Sequence, residues 1–306
     1  MLVALFNRLK GINSGVFHDF TDFYDQHPVY YAMYISIALG YLLLYPVHSI
    51  FKNKKGFKVI SLAILICGLV LCASKAVIFI DLVLAFFILF FSKNTLKSRL
   101  SYVFMLIVVA VVFSKVNFIK DRFEDGLRFS QEILDYQPTN DFREKKHFNY
   151  DEKENISDLE LRYLFFKTMF FHILEDDKVL FGYGQGDVQD YIDYYYYSYN
   201  LAPNWYEGFN VHNQYLHVFI TYGVFTLVLF LAYILYSFAS AIKHKDLIVL
   251  IFLIISSFVF IFEVLLVRNK GIIFFYFFNT LFLANFLNFE DSNLRNKGNT
   301  KLSWWV

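Results

Sequence analysis

Charged side chains are scarce in this sequence. Only 18% of the 306 residues are Asp, Glu, Lys or Arg, whereas 57% are hydrophobic and 21% are aromatic. A soluble domain of this length surrounds its core with a charged surface. Here the few charges occupy short stretches, and the apolar runs between them are long enough to cross about 30 Å of hydrocarbon. The shortage of charge therefore argues against a soluble protein and indicates a polytopic membrane protein.

Cysteine is also rare, with two copies. Cys67 and Cys72 lie five residues apart in one apolar run, which is poor geometry for the Cα separation that a disulfide needs. We expect both thiols to be packing residues inside the membrane. The net charge is only +1, and its signs are segregated along the chain. It gives no indication of a nucleic-acid partner, and we expect none.

The apolar runs predict an all-α bundle of about seven membrane spans with one large, partly helical loop. The predicted spans cover residues 28–51, 57–73, 76–91, 100–113, 212–241, 247–267 and 271–289. The chain then divides into an N-terminal segment (1–27), four spans (28–114), the loop (115–211), three spans (212–289) and a tail (290–306).

Lysine and arginine in the short connections predict the orientation, because cytoplasmic loops carry an excess of these residues. The basic connections are residues 52–58, 93–99 and 243–245, together with the tail at 295–301. All four fall on the same side of an alternating path, so we expect that side to be cytoplasmic. The acidic loop and residues 1–27 then face the opposite, periplasmic side of a bacterial inner membrane.

Residues 1–27 contain no recognisable signal peptide, since the apolar stretch before Arg8 and Lys10 is too short. Two explanations are open. A short tail is translocated across the membrane, or Met1 is an internal start and upstream spans are absent.

The large loop contains a predicted helix that begins at Ser157 or Asp158 and ends near Asp176. A hydroxyl or carboxyl at the start and an acid in the first turn are typical of a capped helix. After it, the segment from Gly182 to Asp187 is rich in glycine. A phosphate-binding loop is one interpretation, but no Lys-Ser or Lys-Thr ending follows, so a glycine turn after the helix is favoured. The tyrosines of residues 191–199 suit packing or a membrane-interface belt, with sugar stacking as the alternative.

Five ionisable side chains fall near the outer boundary of the predicted bundle. They are Lys75, Arg162, His212, Glu263 and Arg268. Charge at that depth is costly unless it is paired or useful. Each residue also has an ordinary explanation: a lysine extends its amine towards water, an arginine pairs with a loop acid, and a histidine caps a helix. The acidic run at residues 175–177 is better explained as a solvated helix end than as a metal site.

Several segments together resemble the O-antigen ligase superfamily. They are Arg162, the Gly182-Tyr183-Gly184-Gln185-Gly186 turn, and His212-Asn213-Gln214-Tyr215-Leu216 followed by Tyr222-Gly223. Ser74-Lys75 stands where that family has a Ser-Arg turn, and a lysine there keeps the charge but loses the bidentate fork. His27-Pro28 and residues 263–271 also fit the pattern. The resemblance covers nearly the whole chain. Members of the family usually have more than seven spans, which favours a truncated N-terminus.

The resemblance implies a membrane glycosyltransferase for lipopolysaccharide or another surface polysaccharide. The donor would be a glycan on a polyprenyl (undecaprenyl) pyrophosphate in the membrane lipids, and the acceptor a hydroxyl of a glycan or of lipid A-core. His212 and Arg162 would be catalytic, with His212 as the base. Lys75, Arg162 and Arg268 would bind the pyrophosphate, and His27, Asn213 and Glu263 would support the site. One base and direct attack imply inversion, with no metal or cofactor.

Three alternatives stay open. A polymerase of surface polysaccharide would use the same residues with a different acceptor. A polysaccharide-lipid transporter or flippase would place polar residues at mid-membrane depth, where Asp81 is the main charged candidate. A truncated chain that binds lipid without activity is the third.

Overall fold

The computed structural model describes residues 17–21, 26–44, 55–91, 100, 104 and 123–288. These residues are helical or irregular, and no strand occurs among them. The predicted fourth span lies outside this set except for Leu100 and Phe104. The first sixteen residues and the tail from residue 289 also lie outside it. The predicted all-α class is confirmed for the part of the chain that is described.

Three apolar helices occupy the first three predicted spans, after a short helix α1 (His18–Thr21). They are α2 (Pro28–Leu44), α3 (Lys55–Cys72) and α4 (Lys75–Phe91). Pro28 opens α2, where its missing N–H costs nothing. A tight turn through Ala73, whose φ is 45°, joins α3 to α4. Lys75 is therefore the first residue of a helix, at the end of the bundle that we predict to face outwards.

The C-terminal part of the bundle contains α9 (Gln214–His244), α10 (Leu247–Val259) and α11 (Asn269–Asn288). Within the described ranges, α9 and α11 are the two helices long and apolar enough to cross a membrane by themselves. Shorter apolar helices include α2 and α10. The structure thus supports a helical membrane protein, and the number of seven spans remains a prediction.

Two predicted boundaries differ from the structure. The sixth span was expected to reach residue 267, but α10 ends at Val259 and residues 260–268 are not a regular helix. The fifth span was expected as one helix, but α9 is broken at Gly223, whose φ is 79° and ψ is −177°. Hydropathy reveals neither the end of α10 nor the break in α9, because the sequence remains apolar through both places.

The break at Gly223 is filled by the glycine turn of the large loop. Tyr183 N–H and Gly184 N–H donate to the carbonyls of Ile220 and Thr221 at 2.7 and 2.9 Å, and Val224 N–H donates to Val179 O at 2.9 Å. These bonds replace the helical bonds lost at the break, as an apolar environment requires. The turn therefore packs against α9, in agreement with the favoured interpretation.

The first arm of α9 folds back along the second. The rings of Tyr215 and Phe230 lie 6.0 Å apart, whereas fifteen residues of straight helix would separate them by about 22 Å. Residues 224–244 span about 31 Å, but α10, with its 13 residues, spans only about 20 Å. Both lengths are measured from the same end, because α9 ends at His244 and α10 begins at Leu247. We infer that residues 260–268 lie in a recess, roughly 10 Å below the level of Gly223.

The large loop folds around its own core. Its helices are α5 (Gln131–Asp135), α6 (Tyr150–Asn155), α7 (Asp158–Glu175) and α8 (Val188–Ser198). Ser157 caps α7 in a capping box with Glu160, and Asp176 ends the helix, which confirms the predicted helix. Phe165 stacks on Tyr196 at 4.3 Å. Tyr195, Tyr196 and Tyr199 are buried, so much of the tyrosine run is packing. We call residues 123–211 the outer domain, after their predicted orientation.

Candidate functional site

Glu263 joins the two residues for which the family resemblance implies a catalytic role. Its Oε1 accepts a hydrogen bond from Arg162 Nη2 at 3.1 Å, and its Oε2 lies 3.3 Å from His212 Nδ1. Arg162 comes from α7 of the outer domain, and Glu263 comes from the irregular segment 260–268 of the bundle. One carboxylate therefore brings together two residues that are 50 positions apart in the sequence.

Glu263 is ionised at neutral pH. Burial alone raises the pKa of a carboxyl group, but the hydrogen bond with His212 and the positive charge of Arg162 outweigh it and lower the pKa to about 2. Only 16% of the side chain is exposed. A buried carboxylate needs partners of this kind, since an unpaired charge at such a site is strongly unfavourable.

Arg162 is held by the protein on three sides. Nε donates to Phe262 O at 3.0 Å, and Nη1 donates to Asp158 O at 2.7 Å, in addition to the bond from Nη2 to Glu263. A guanidinium group carries five N–H donors. Contacts to the described residues use three of them, so two donors remain for a ligand, enough for a bidentate contact with a phosphate.

His212 is held in one orientation. Its φ is 46°, a left-handed conformation that is uncommon for a residue with a side chain, and its N–H donates to Asn210 Oδ1 at 2.9 Å. The ring lies nearly parallel to Phe165 at 6.3 Å. When Nδ1 carries the proton and donates to Glu263, Nε2 is left as an acceptor. That tautomer is the one a general base requires.

Side chains at the start of α9 fix the segment that carries Glu263. Asn213 caps α9 by accepting from Leu216 N–H at 2.9 Å, and its amide donates to Ile261 O at 3.1 Å. Gln214 N–H donates to Phe260 O, and Gln214 Oε1 accepts from Leu266 N–H, each at 2.7 Å. Asn213 is thus a supporting residue in geometry. Gln214 also holds this segment in place, but the sequence alone did not single it out as a supporting residue.

A glycine fixes the far side of the same segment. A Cβ on Gly271 would lie 2.0 Å from Leu265 O, and the hydroxyl of Tyr30 donates to that same carbonyl at 3.2 Å. The start of α11 therefore approaches residues 260–268 more closely than a side chain permits.

His27 and Arg268 lie on the bundle side of Glu263. Burial lowers the pKa of His27 to about 4, although the charge of Glu263 opposes the shift. His27 is therefore neutral at neutral pH. The positive charge of the exposed Arg268 also lowers the pKa of His27. His18, which sequence reasoning missed, contributes a ring 5.0 Å from that of His27.

Lys75 reaches the site indirectly. Its Nζ pairs with Asp158 Oδ2 at 2.5 Å, and Arg162 binds the carbonyl of the same Asp158. A Cβ on Gly126 would lie 1.6 Å from Lys75 Nζ, so a side chain there would require the lysine amine to shift. Sequence reasoning treated Asp158 only as a helix start. The i, i+4 spacing of Asp158 and Arg162 predicts a pair of side chains, whereas Arg162 binds the backbone carbonyl of Asp158 and the carboxylate pairs with Lys75.

An open groove of about 430 Å³ runs between α9 and α11. Its lining is apolar with five hydroxyl-bearing side chains: Val218, Tyr222, Thr226, Leu229, Phe230, Tyr233, Tyr276 and Thr280. Phe230 packs on Phe260, at 5.8 Å between rings, and Phe260 is three residues before Glu263. Beside the groove, α11 contains a π-helical turn at Ile273–Phe277.

No group of three or more His, Cys, Asp or Glu side chains suited to hold a metal ion occurs among the described residues. A sequence profile described as O-antigen ligase matches residues 60–231, more than half of the chain. No curated protein matches the chain with significance. The same is true of solved structures.

Proposed function

Because the chain belongs to the O-antigen ligase family, a family of membrane glycosyltransferases that join or extend surface polysaccharides, we propose that it transfers a glycan from a polyprenyl pyrophosphate carrier to an acceptor hydroxyl. The reaction takes place at the periplasmic face of a bacterial inner membrane. The acceptor is a glycan or lipid A-core, as in O-antigen ligation. The observation that carries the proposal is the pairing of Arg162 and His212 on the two oxygens of Glu263.

The position of the site suits a lipid-linked pyrophosphate. Residues 260–268 follow the short helix α10, and we place them at the depth of the outer leaflet from its length of about 20 Å. A pyrophosphate at that depth is poorly hydrated, so it needs cations from the protein. Arg162 has two donors left for it, and Arg268 and Lys75 supply further positive charge nearby.

In the proposed reaction, the acceptor oxygen attacks the anomeric carbon of the donor sugar. His212 Nε2 takes the proton of the acceptor hydroxyl, and the bond from the anomeric carbon to the pyrophosphate oxygen breaks. The electron pair stays on the pyrophosphate, where Arg162, Lys75 and Arg268 stabilise the added charge. Glu263 keeps the proton on Nδ1 and stabilises the imidazolium that forms. A single displacement inverts the configuration, and none of these steps uses a metal ion.

The groove between α9 and α11 is the place we propose for the polyprenyl chain. Part of its lining is apolar, and its wall at Phe230 contacts Phe260 near the site. A chain bound there would extend down from a pyrophosphate held by Arg162.

A polymerase is the second enzyme that the geometry accommodates, because the same residues would act with a lipid-linked repeat unit as acceptor. Transport has less support. The Oδ2 of Asp81, the main charged candidate for a transport path, lies 2.5 Å from Ser36 Oγ, and that hydroxyl also lies 2.9 Å from Ala32 O. These contacts suit a link between α2 and α4.

The proposal is tested with the full chain in proteoliposomes, given purified polyprenyl pyrophosphate-linked glycan and a candidate acceptor. Arg162→Ala should weaken donor binding and reduce transfer further, since a charge-assisted contact acts most strongly in the transition state. Arg162→Lys should recover only part of the activity, because the fork is lost. Full transfer by Arg162→Ala would reject the site. Loss of transfer in EDTA with rescue by a divalent cation would reject the metal-free route.

A further inference from the structure

Two carboxylates pair with the cationic side chains that we propose to bind the pyrophosphate, and they differ in exposure. Glu263, which pairs with Arg162, has 16% of its side chain exposed, whereas Asp158, which pairs with Lys75, has 52% exposed. A buried carboxylate is held by its partners and costly to separate. An exposed one exchanges its partner for water or another anion at little cost.

The position of Asp158 adds to this difference. It is the first residue of α7, one turn before Arg162, and its own carbonyl accepts from Arg162 Nη1. Asp158 thus contacts both cations, Lys75 through its carboxylate and Arg162 through its backbone carbonyl. A phosphate oxygen of a ligand held by these two cations must approach the same place, since carboxylate and phosphate oxygens accept the same bonds from lysine.

The amine of Lys75 is largely enclosed by the protein. Only 15% of its side chain is exposed, and Gly126 lies against Nζ so closely that no Cβ fits between them. The exposed partner of the pair, and the one that a ligand in solution reaches first, is therefore the carboxylate of Asp158.

We propose that Asp158 is a specificity-determining residue: its carboxylate occupies Lys75 in the free enzyme and is displaced by the pyrophosphate of the donor. This inference rests on the proposed function. Asp158 would lower the affinity for every anion and would select for a pyrophosphate, whose second phosphate group offsets the cost of displacement by also binding Arg162. After transfer, its return to Lys75 would favour release of the spent carrier.

The test measures binding of farnesyl pyrophosphate and farnesyl monophosphate to the full chain in detergent. Asp158→Asn keeps the size of the side chain and removes the charge, so the dissociation constant for both probes should fall about three- to tenfold. The monophosphate should gain more, because its single phosphate has less to offset the competing carboxylate. Lys75→Met should weaken binding, and in the Asp158→Asn background its effect should be larger than in the wild type.

Glu154→Gln is the matched control, since Glu154 is an exposed acid of α6 in the same domain. If it tightens binding as much as Asp158→Asn, the effect is one of general charge and the inference is wrong. Transfer kinetics give a second readout: Asp158→Asn should lower KM for the donor and also lower kcat through slower release.

Weaker binding by Asp158→Asn would contradict the inference. If Asp158→Asn weakens binding as Lys75→Met does, Asp158 is a fixed support that positions the lysine, and the inference is wrong. A thermal unfolding curve close to that of the wild type shows that the variant is folded. Arg162→Ala distinguishes a failure of the proposed function from a failure of this inference. Unchanged pyrophosphate binding in that variant would contradict the proposed function itself. If its binding is weakened, the Asp158→Asn result decides the inference alone.

Discussion

The outer domain and the membrane bundle are built from different interactions, and the candidate site lies where they meet. The outer domain combines a core of aromatic rings with local polar contacts, such as the capping boxes at Asn149 and Ser157. The bundle depends on apolar packing and close backbone approach, as at Gly223 and Gly271. Arg162 and His212 come from the outer domain and its edge, while Glu263 comes from the bundle. The comparison indicates that the chemistry depends on how firmly the two regions are joined.

The largest expected effect comes from removing the base on the outer side of the junction. His212→Ala should reduce transfer about 10²–10⁴-fold, the usual contribution of a positioned general base. Donor binding should change little, because the imidazole is assigned to the acceptor. Rates from purified donor in proteoliposomes, with binding measured separately, check this. Near-normal transfer would remove His212 from the mechanism.

The second-largest expected effect comes from a substitution that disrupts the contact between the glycine turn and α9. A Cβ on Gly223 would lie 2.1 Å from Leu180 O, and the φ of 79° is unfavourable for other residues. Gly223→Ala should therefore destabilise the protein by about 1–3 kcal/mol, seen as a lower Tm. Gly186→Ala in the same turn meets nothing within 4 Å and serves as the control. Equal Tm values for both variants would show that the turn does not support the helix break.

A pH experiment isolates the carboxylate at the junction. The pKa of Glu263 is lowered from its ordinary 4.5 to about 2. The stability it contributes is thus present above pH 4.5 and is lost as the pH falls towards 2. Glu263→Gln should show a smaller decrease in Tm over this window than the wild type. The pKa of Glu160 is also lowered, by hydrogen bonds that outweigh its burial, and both proteins keep that contribution. Parallel curves would mean that the pairs of Glu263 do not stabilise the fold.

The smallest effect concerns the groove. Thr226→Trp should fill it and raise KM for a long-chain donor a few-fold, about 1 kcal/mol, with little change for a short-chain donor. Leu235→Trp, at an exposed position of the same helix, is the control. Equal KM changes for both donors would place the polyprenyl chain elsewhere.

Sequence reasoning succeeded where local chemistry decides the outcome. The capped helix α7 followed from Ser157 and the acids of its first turn. The candidate site residues were named from the family resemblance, and their roles remain a prediction. The break in α9 was missed, because a glycine inside an apolar run gives no indication of its φ angle. Asp158 was missed as a partner of Lys75, since that contact joins residues 83 positions apart. Long-range contacts of this kind depend on the packing of the domain against the bundle.

The central claim is that His212 and Glu263 act as one unit across the junction. A double-mutant cycle of transfer rates tests it most directly. If Glu263 acts through His212, Glu263→Gln should slow the wild type about tenfold or more. It should then add almost nothing to His212→Ala, so that the double variant is about as slow as the single one. Rate losses that multiply in the double variant would show that the two residues act independently and would contradict the proposed site.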